Sequence, residues 1–412
     1  MEQPDLIPHL FRTEFRKITA VLTKLFGIEH IESAEDIAGE TFLTALETWP
    51  YKGIPANPTA WLYSVAKNKA KNYLQRQRIF TEKIAEQLSH PLSETDEIDW
   101  SEKNILDSQL QMLFALCHPS ISPEAQIGLS LRILCGFGID EIADAFLTNK
   151  ETINKRLFRA KEKLRIEKIR IEFPEEVHIN ERLETVLTTL YLLFNEGYYS
   201  TSKDSILRKD LCLEAMRLTY SLIENEQTNQ PEVTALFSLM CFHSSRFEAR
   251  QNENGEAILY HDQDETRWNY ELISKGAYFL QQASKGNTIS KYHLEAGIAY
   301  WFTIKADTKE KWIAILQLYN QLLSLEYSPI AALNRTFALA KVKGKAEAIA
   351  EAEKLNLINN HFYFSLLGEL YKGLDNDKAK INFQKAFSLA KTKTDRRLLQ
   401  EQIEKLTREG IK

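Results

Sequence analysis

IDEIADAFLTNKETINKRLFRAKEKLR, running from Ile139 to Arg165, is the stretch on which the fold reading turns. Ile142, Ala143 and Phe146 share one face of a short helix. Leu147 and Thr148 make a turn, and Asn149 is placed to cap a second helix whose Ile153 and Leu157 face back. Small Ala143 lets the two helices cross closely and Ile153 fills the corner between them, which is helix-turn-helix spacing. The outward side of the second helix carries Lys150, Thr152, Lys155, Arg156 and Arg159, with Lys161, Lys163 and Arg165 continuing beyond. Between Lys150 and Arg170 nine Lys or Arg stand against only Glu151, Glu162 and Glu167, in a chain of formal net charge -5. Arg and Lys pair with phosphates or guanine edges, while Asn and Thr read or position, so the local excess points to DNA. The competing reading, a solvated salt-bridged helix, would carry more balancing acids.

Working outward, 412 residues exceed the roughly 250 that one core usually serves, so several domains are expected. The chain is 44% hydrophobic and 26% charged, and its 15 Gly and 11 Pro point to long helices with few turns. The expected fold class is all-α. Cys117, Cys135, Cys212 and Cys241 are scattered without a C-x-x-C pair, which suggests neither a zinc knuckle nor a disulfide framework and fits a reducing cytoplasm. MEQPDLIPHLFRTEF lacks the pattern of a signal peptide, and no apolar run approaches the ~18 residues of a membrane span. No membrane, metal or cofactor is expected.

Toward the N-terminus, SAEDIAGETFLTALETW offers Ser33 as an N-cap, Glu35 and Asp36 in the first turn, and Ile37, Phe42 and Leu46 as an apolar stripe. A Pro/Gly loop, PYKGIPANP, follows, and Asn57-Pro58 launches the helix TAWLYSVAKNKAKNYLQRQR. This helix mixes Lys67, Lys69, Lys71, Arg76 and Arg78 with Trp61, Asn68, Asn72 and Tyr73, a combination that suits opened single strands or, more plainly, a surface helix. The acidic stretch around HPLSETDEIDWSEKN reads as a linker.

Order and spacing together carry a resemblance. The acidic helix, the Pro/Gly loop, the basic helix, the acidic linker and the helix-turn-helix resemble, end to end, the extracytoplasmic-function class of bacterial sigma factors. LYLLFNEGYYSTS and HDQDETRWNYELI resemble the subgroup with a long C-terminal extension. The resemblance implies a sigma region 2 over residues 1–80, a linker over 81–107, and a region 4 over 108–171. A helical extension with a short hairpin would follow over 172–290, and tetratricopeptide-like (TPR-like) repeats over 291–412. It implies a promoter-recognition subunit, not an enzyme, whose partners are core RNA polymerase and promoter DNA. Glu35, Asp36 and Glu40 would dock on the clamp helices of the largest polymerase subunit. Trp61, Lys67, Asn68, Lys71, Asn72 and Arg76 would line the opened -10 element, with PYKGIPAN as the loop that takes a flipped base. Asn149 to Arg159 would enter the major groove at -35, with Lys155, Arg159 and Lys163 on phosphates and Lys150, Thr152 and Arg156 reading bases. Gly39 stands where the family usually has Gln, and Asn72 where it more usually has Asp.

In the extension, Phe364, Leu367, Gly368 and Tyr371, then Ala379, Phe383 and Ala386, match the two helices of a TPR. Ile315, Tyr319, Leu322 and Pro329 echo the second half, and ALNRTFALAKVKGKAEAIAEAEKL is a weaker copy. Unrelated helical hairpins are the plainer alternative. Such repeats bind a peptide or protein partner, and the resemblance implies that the extension controls sigma activity. Asn254-Gly255 is a hairpin signal, and Gly197 is placed to cap a helix after Asn195 and Glu196. His243, Arg246, Arg250, His261, Asp262, Asp264 and Glu265 invite a metal or enzymatic reading, against which stands pairing of the acids with the arginines. A one-component regulator that senses a peptide, and an enzyme fused to a DNA-binding module, remain the alternative functions.

Overall fold

The computed structural model describes residues 3–84, 98–146, 148–199, 209–252, 258–390 and 392–409. The described residues form an all-α molecule, and contacts divide it into two units, Met1–Leu190 and Tyr191–Lys412.

The first unit contains α1 (Gln3–Phe26), α2 (Ile31–Lys52), α3 (Pro58–Ile84), α4 (Glu102–Leu116), α5 (Pro123–Ile133), α6 (Ile139–Ala145), α7 (Lys150–Ile166) and the first part of α8 (Glu176–Tyr199). Ile18, Leu22, Ala34, Ala38, Phe42, Ala45, Trp49, Leu62 and Ala66 make one core between α1, α2 and α3. Two expectations for α2 fail. His30, not Ser33, is its N-cap, because a 3-10 turn over Ile28–His30 runs directly into the helix and buries Ile31. Leu46 is 53% exposed, its expected place in the core taken by Ala45 and Trp49. The Pro/Gly loop is also shorter than its composition suggests: α2 takes in Pro50 and ends at Gly53, whose φ of 82° suits glycine. Asn57 Oδ1 then accepts from Ala60 N–H at 3.0 Å to start α3, as its sequence predicts.

The linker expected over 81–107 is helical at both ends, since α3 reaches Ile84 and Ser101 caps α4. Its middle, residues 85–97, lies outside the described residues. Just after it, Trp100 stacks on Tyr63 of α3 with ring centroids 4.9 Å apart. Within the first unit, α4 lies against α1. Ile179, Leu183, Val186 and Leu187 of α8 are buried, and Arg182 and Thr189 act on Cys117 at the end of α4, so this half of α8 belongs with the first unit.

The second unit continues with the end of α8, then α9 (Lys209–Glu224), α10 (Pro231–Ser244), α11 (Tyr270–Ala283), α12 (Lys291–Trp301), α13 (Lys309–Leu325), α14 (Pro329–Lys343), α15 (Lys345–Leu355), α16 (His361–Tyr371), α17 (Asn376–Leu389) and α18 (Lys393–Glu409). Gly197 is not a cap: α8 continues through it because Leu193, Phe194 and Tyr198 keep burying one face. The Asn254-Gly255 turn lies outside the described residues. The repeat signature forms helix pairs, α13 with α14 and α16 with α17. In the latter, Phe364 and Leu367 meet Ala379, Phe383 and Ala386. A Cβ at Gly368 would stand 2.8 Å from the Phe383 ring, so only glycine allows this approach.

Candidate nucleic-acid interface

The helix-turn-helix forms as its spacing predicts. Ile142, Ala143, Ile153 and Leu157 are buried, and Asn149 Oδ1 accepts from Thr152 N–H at 2.9 Å. With the apolar face committed to α5 and α6, Lys155, Arg159 and Lys163 stand exposed along α7. Leu147 lies outside the described residues. Two of the expected base readers have protein partners. Lys150 pairs with Asp140 at 2.6 Å, and the Arg156 guanidinium lies 5.5 Å above the Phe146 ring. The ion pair fixes Lys150 at the start of the helix without burying it, since Lys150 remains 60% exposed. Phe158, 67% exposed on α7, is an apolar side chain that the charge pattern did not single out.

On α3, burial of Leu62, Ala66 and Ala70 turns the opposite side outward, where Asn68, Lys71, Asn72 and Arg76 are exposed. Asn68, Asn72 and Arg76 follow at i, i+4 and i+8, so they line one ridge. Lys67 is half-buried. Trp61 is half-buried too, meeting Trp49 edge-on at 5.3 Å, so part of its ring serves the core. Tyr51, in the last turn of α2 before the loop, is 89% exposed and free to stack.

Of the acidic candidates on α2, Asp36 is exposed and Glu40 is held by Lys69 of α3 at 2.9 Å. Glu35 is half-buried, and burial pushes its carboxyl above the ordinary value against the pull of Lys161 and Arg132. The C-terminal end of α7 lies on the start of α2. Arg165 Nη2 meets Glu32 Oε2 at 2.7 Å, and Lys161 Nζ lies 3.7 Å from Glu32 and 3.8 Å from Glu35. No local pattern foretells this pairing, because Glu32 and Arg165 are 133 residues apart.

A family model described as Sigma-70 region 2 matches residues 10–79, which contain α2 and every candidate on α3. The ECF RNA polymerase sigma-E factor of Haemophilus influenzae is 30% identical over 156 residues, covering 35% of this chain and 78% of that protein. The chain belongs to the extracytoplasmic-function class of the sigma-70 family. The ECF RNA polymerase sigma-E factor of Escherichia coli K12 is 28% identical over 142 residues, or 31% of this sigma factor and 69% of its relative. A second model, the family of unknown function DUF6596, matches residues 182–284. Uncharacterized protein R00370 of Rhizobium meliloti is 32% identical over 390 residues, 92% of this sigma factor and 91% of that protein, so the sigma portion and the extension occur together there too. No solved structure matches. Among the described residues no helix is long and apolar enough to cross a membrane.

The metal or enzymatic reading of the extension separates into two places in the sigma factor. His261, Asp262, Asp264 and Glu265 are exposed on short 3-10 turns, where Asp264 Oδ1 accepts from Thr266 N–H. His243, Arg246 and Arg250 instead lie at and just beyond the end of α10, along a cavity. Among the described residues no group of three His, Cys, Asp or Glu stands ready to hold a metal ion.

Proposed function

We propose that this sigma factor directs core RNA polymerase to promoters and helps open the -10 element. The acidic face of α2, with Glu35, Asp36 and Glu40, docks on the polymerase clamp helices. The α3 ridge of Asn68, Asn72 and Arg76, with Lys67, Lys71 and Trp61 beside it, follows the opened strand. The loop after Tyr51 receives a flipped base, whose unstacking costs a few kcal/mol and is offset by contacts open only to the extruded base. Meanwhile α7 enters the -35 major groove: Lys155, Arg159 and Lys163 bind phosphates, and Asn149, Lys150, Thr152 and Arg156 read or position bases. The observation that carries this reading is the exposed polar ridge of α3 inside the matched region 2.

For Glu35 to reach polymerase, Lys161 has to leave it, so docking requires the end of α7 to lift from α2. The C-terminal extension regulates this sigma factor, and its repeats take a peptide or protein partner. The paired helices of the extension, and its occurrence alongside the sigma portion in the Rhizobium relative, support that role. The test is gel filtration of the full chain with core polymerase in the absence of DNA. Co-migration is expected; a one-component regulator would elute alone and bind only its operator.

A further inference from the structure

Within the second unit, the end of α8, the end of α10 and helices α12 to α14 line a half-open cavity of about 710 Å³. That volume suits a small-molecule site. Its walls are largely apolar, with Phe302, Trp312, Tyr319 and Phe337 among them. Two of its polar groups lack hydrogen-bond partners among the described residues. Arg246 is only 7% exposed, yet its Nε donates to nothing, and its guanidinium lies 5.5 Å over the Tyr260 ring. Gln263 is 4% exposed. Its Nε2 donates to Ile258 O at 3.3 Å, while its Oε1 accepts from nothing. A buried group left unsatisfied costs about 1–3 kcal/mol, and a charged one more, so such groups in a cavity call for a ligand.

The charge around them sets its sign. Lys291 is matched by Glu326 at 3.0 Å. Glu295 faces the cavity, but burial pushes its carboxyl up to about 7, and Tyr191 O–H donates to it at 3.3 Å, so near neutral pH it cancels only part of a charge. Arg246 lines the wall, and Lys311, 1% exposed, lies behind Tyr260 with its Nζ 3.1 Å from the phenol oxygen. The first turn of α14 also borders the space, and its dipole favours negative charge. A planar guanidinium matches a carboxylate in a two-point fork, and an apolar wall accepts a compact monoanion at lower desolvation cost than a phosphate dianion.

We propose that the cavity binds a small organic carboxylate, its carboxylate on Arg246, its apolar body between Tyr260, Phe302 and Trp312, and a hydroxyl or amide N–H donating to Gln263 Oε1. The site joins the segment of unknown function to the first repeat helices, and its test is independent of polymerase. Full-length protein is titrated calorimetrically with hexanoate, phenylacetate and 4-hydroxyphenylacetate, each against its primary amide, and with inorganic phosphate. At least one carboxylate is expected to saturate one site per chain and to bind tenfold or more tightly than its amide. Arg246→Gln should remove that preference. Gln263→Leu should weaken 4-hydroxyphenylacetate more than phenylacetate. The proposal is overturned if none of the carboxylates binds, if acid and amide bind alike, if phosphate binds as tightly, or if Arg246→Gln binds like the unaltered protein. Should that variant fail to fold, the acid-against-amide comparison on the unaltered chain decides.

Discussion

Arg165→Glu should free the start of α2 and tighten binding to core polymerase. Arg165 is 37% exposed and Glu32 52% exposed, so solvent screens their 2.7 Å contact. Pairs of this kind contribute about 0.2–1 kcal/mol. Reversal removes the attraction and sets a carboxylate against Glu32, which doubles the effect to about 0.4–2 kcal/mol, or roughly 2–30-fold in the equilibrium between seated and lifted α7. Lys161 still holds Glu32 and Glu35 at 3.7 and 3.8 Å, so the contact weakens without vanishing. The assay is core polymerase affinity by fluorescence anisotropy, without DNA, so that any loss of promoter contacts by α7 does not enter. If seated α7 blocks docking, the variant binds about 2–30-fold more tightly at low salt, and the gap narrows at high salt as screening shortens to a few ångströms. Equal or weaker binding by the variant at every salt concentration would refute the reasoning.

Other perturbations test single elements. Arg156→Ala should relax sequence preference at -35, whereas an unchanged preference with a shallower salt dependence would make Arg156 a phosphate contact. Gly39 lies within α2, and a Cβ added there would meet nothing within 4 Å, so Gly39→Ala should stabilise by about 1 kcal/mol in urea denaturation. Gly368→Ala should do the reverse by about 1–3 kcal/mol, because its Cβ meets the Phe383 ring. Glu295 titrates near 7 when folded against an ordinary 4.5, so between those values the folded state holds the extra proton and stability falls as pH rises. Glu295→Gln should therefore remove a loss of order 3 kcal/mol between pH 4.5 and 7, seen by denaturation at several pH values.

Much of the first unit was legible because its signals are local. Asn149 caps α7 from three residues away, and Ile142 and Ile153 occupy the corner that their spacing assigns. The repeat pairs were legible for the same reason, since Gly368 and Phe383 follow a fixed period. What stayed hidden depends on distant partners. Ser33 has the chemistry of a cap, but the turn before it had already started the helix at Ile31. Gly197 has the chemistry of a stop, but Tyr198 finds burial and α8 runs on. Arg165 looked like one more base until folding brought Glu32 to it. The cavity draws its lining from residues between Tyr191 and Phe337, and no window of sequence holds them together.

Promoter-directed initiation by this sigma factor is measured by run-off transcription. Core polymerase is incubated with the full chain and a library of genomic fragments, and transcript 5′ ends are mapped. Discrete start sites that core alone does not produce are expected, preceded by two shared sequence elements spaced for α3 and α7. Transcripts no different from those of core alone, across the library and with the chain in excess, would contradict promoter-directed initiation.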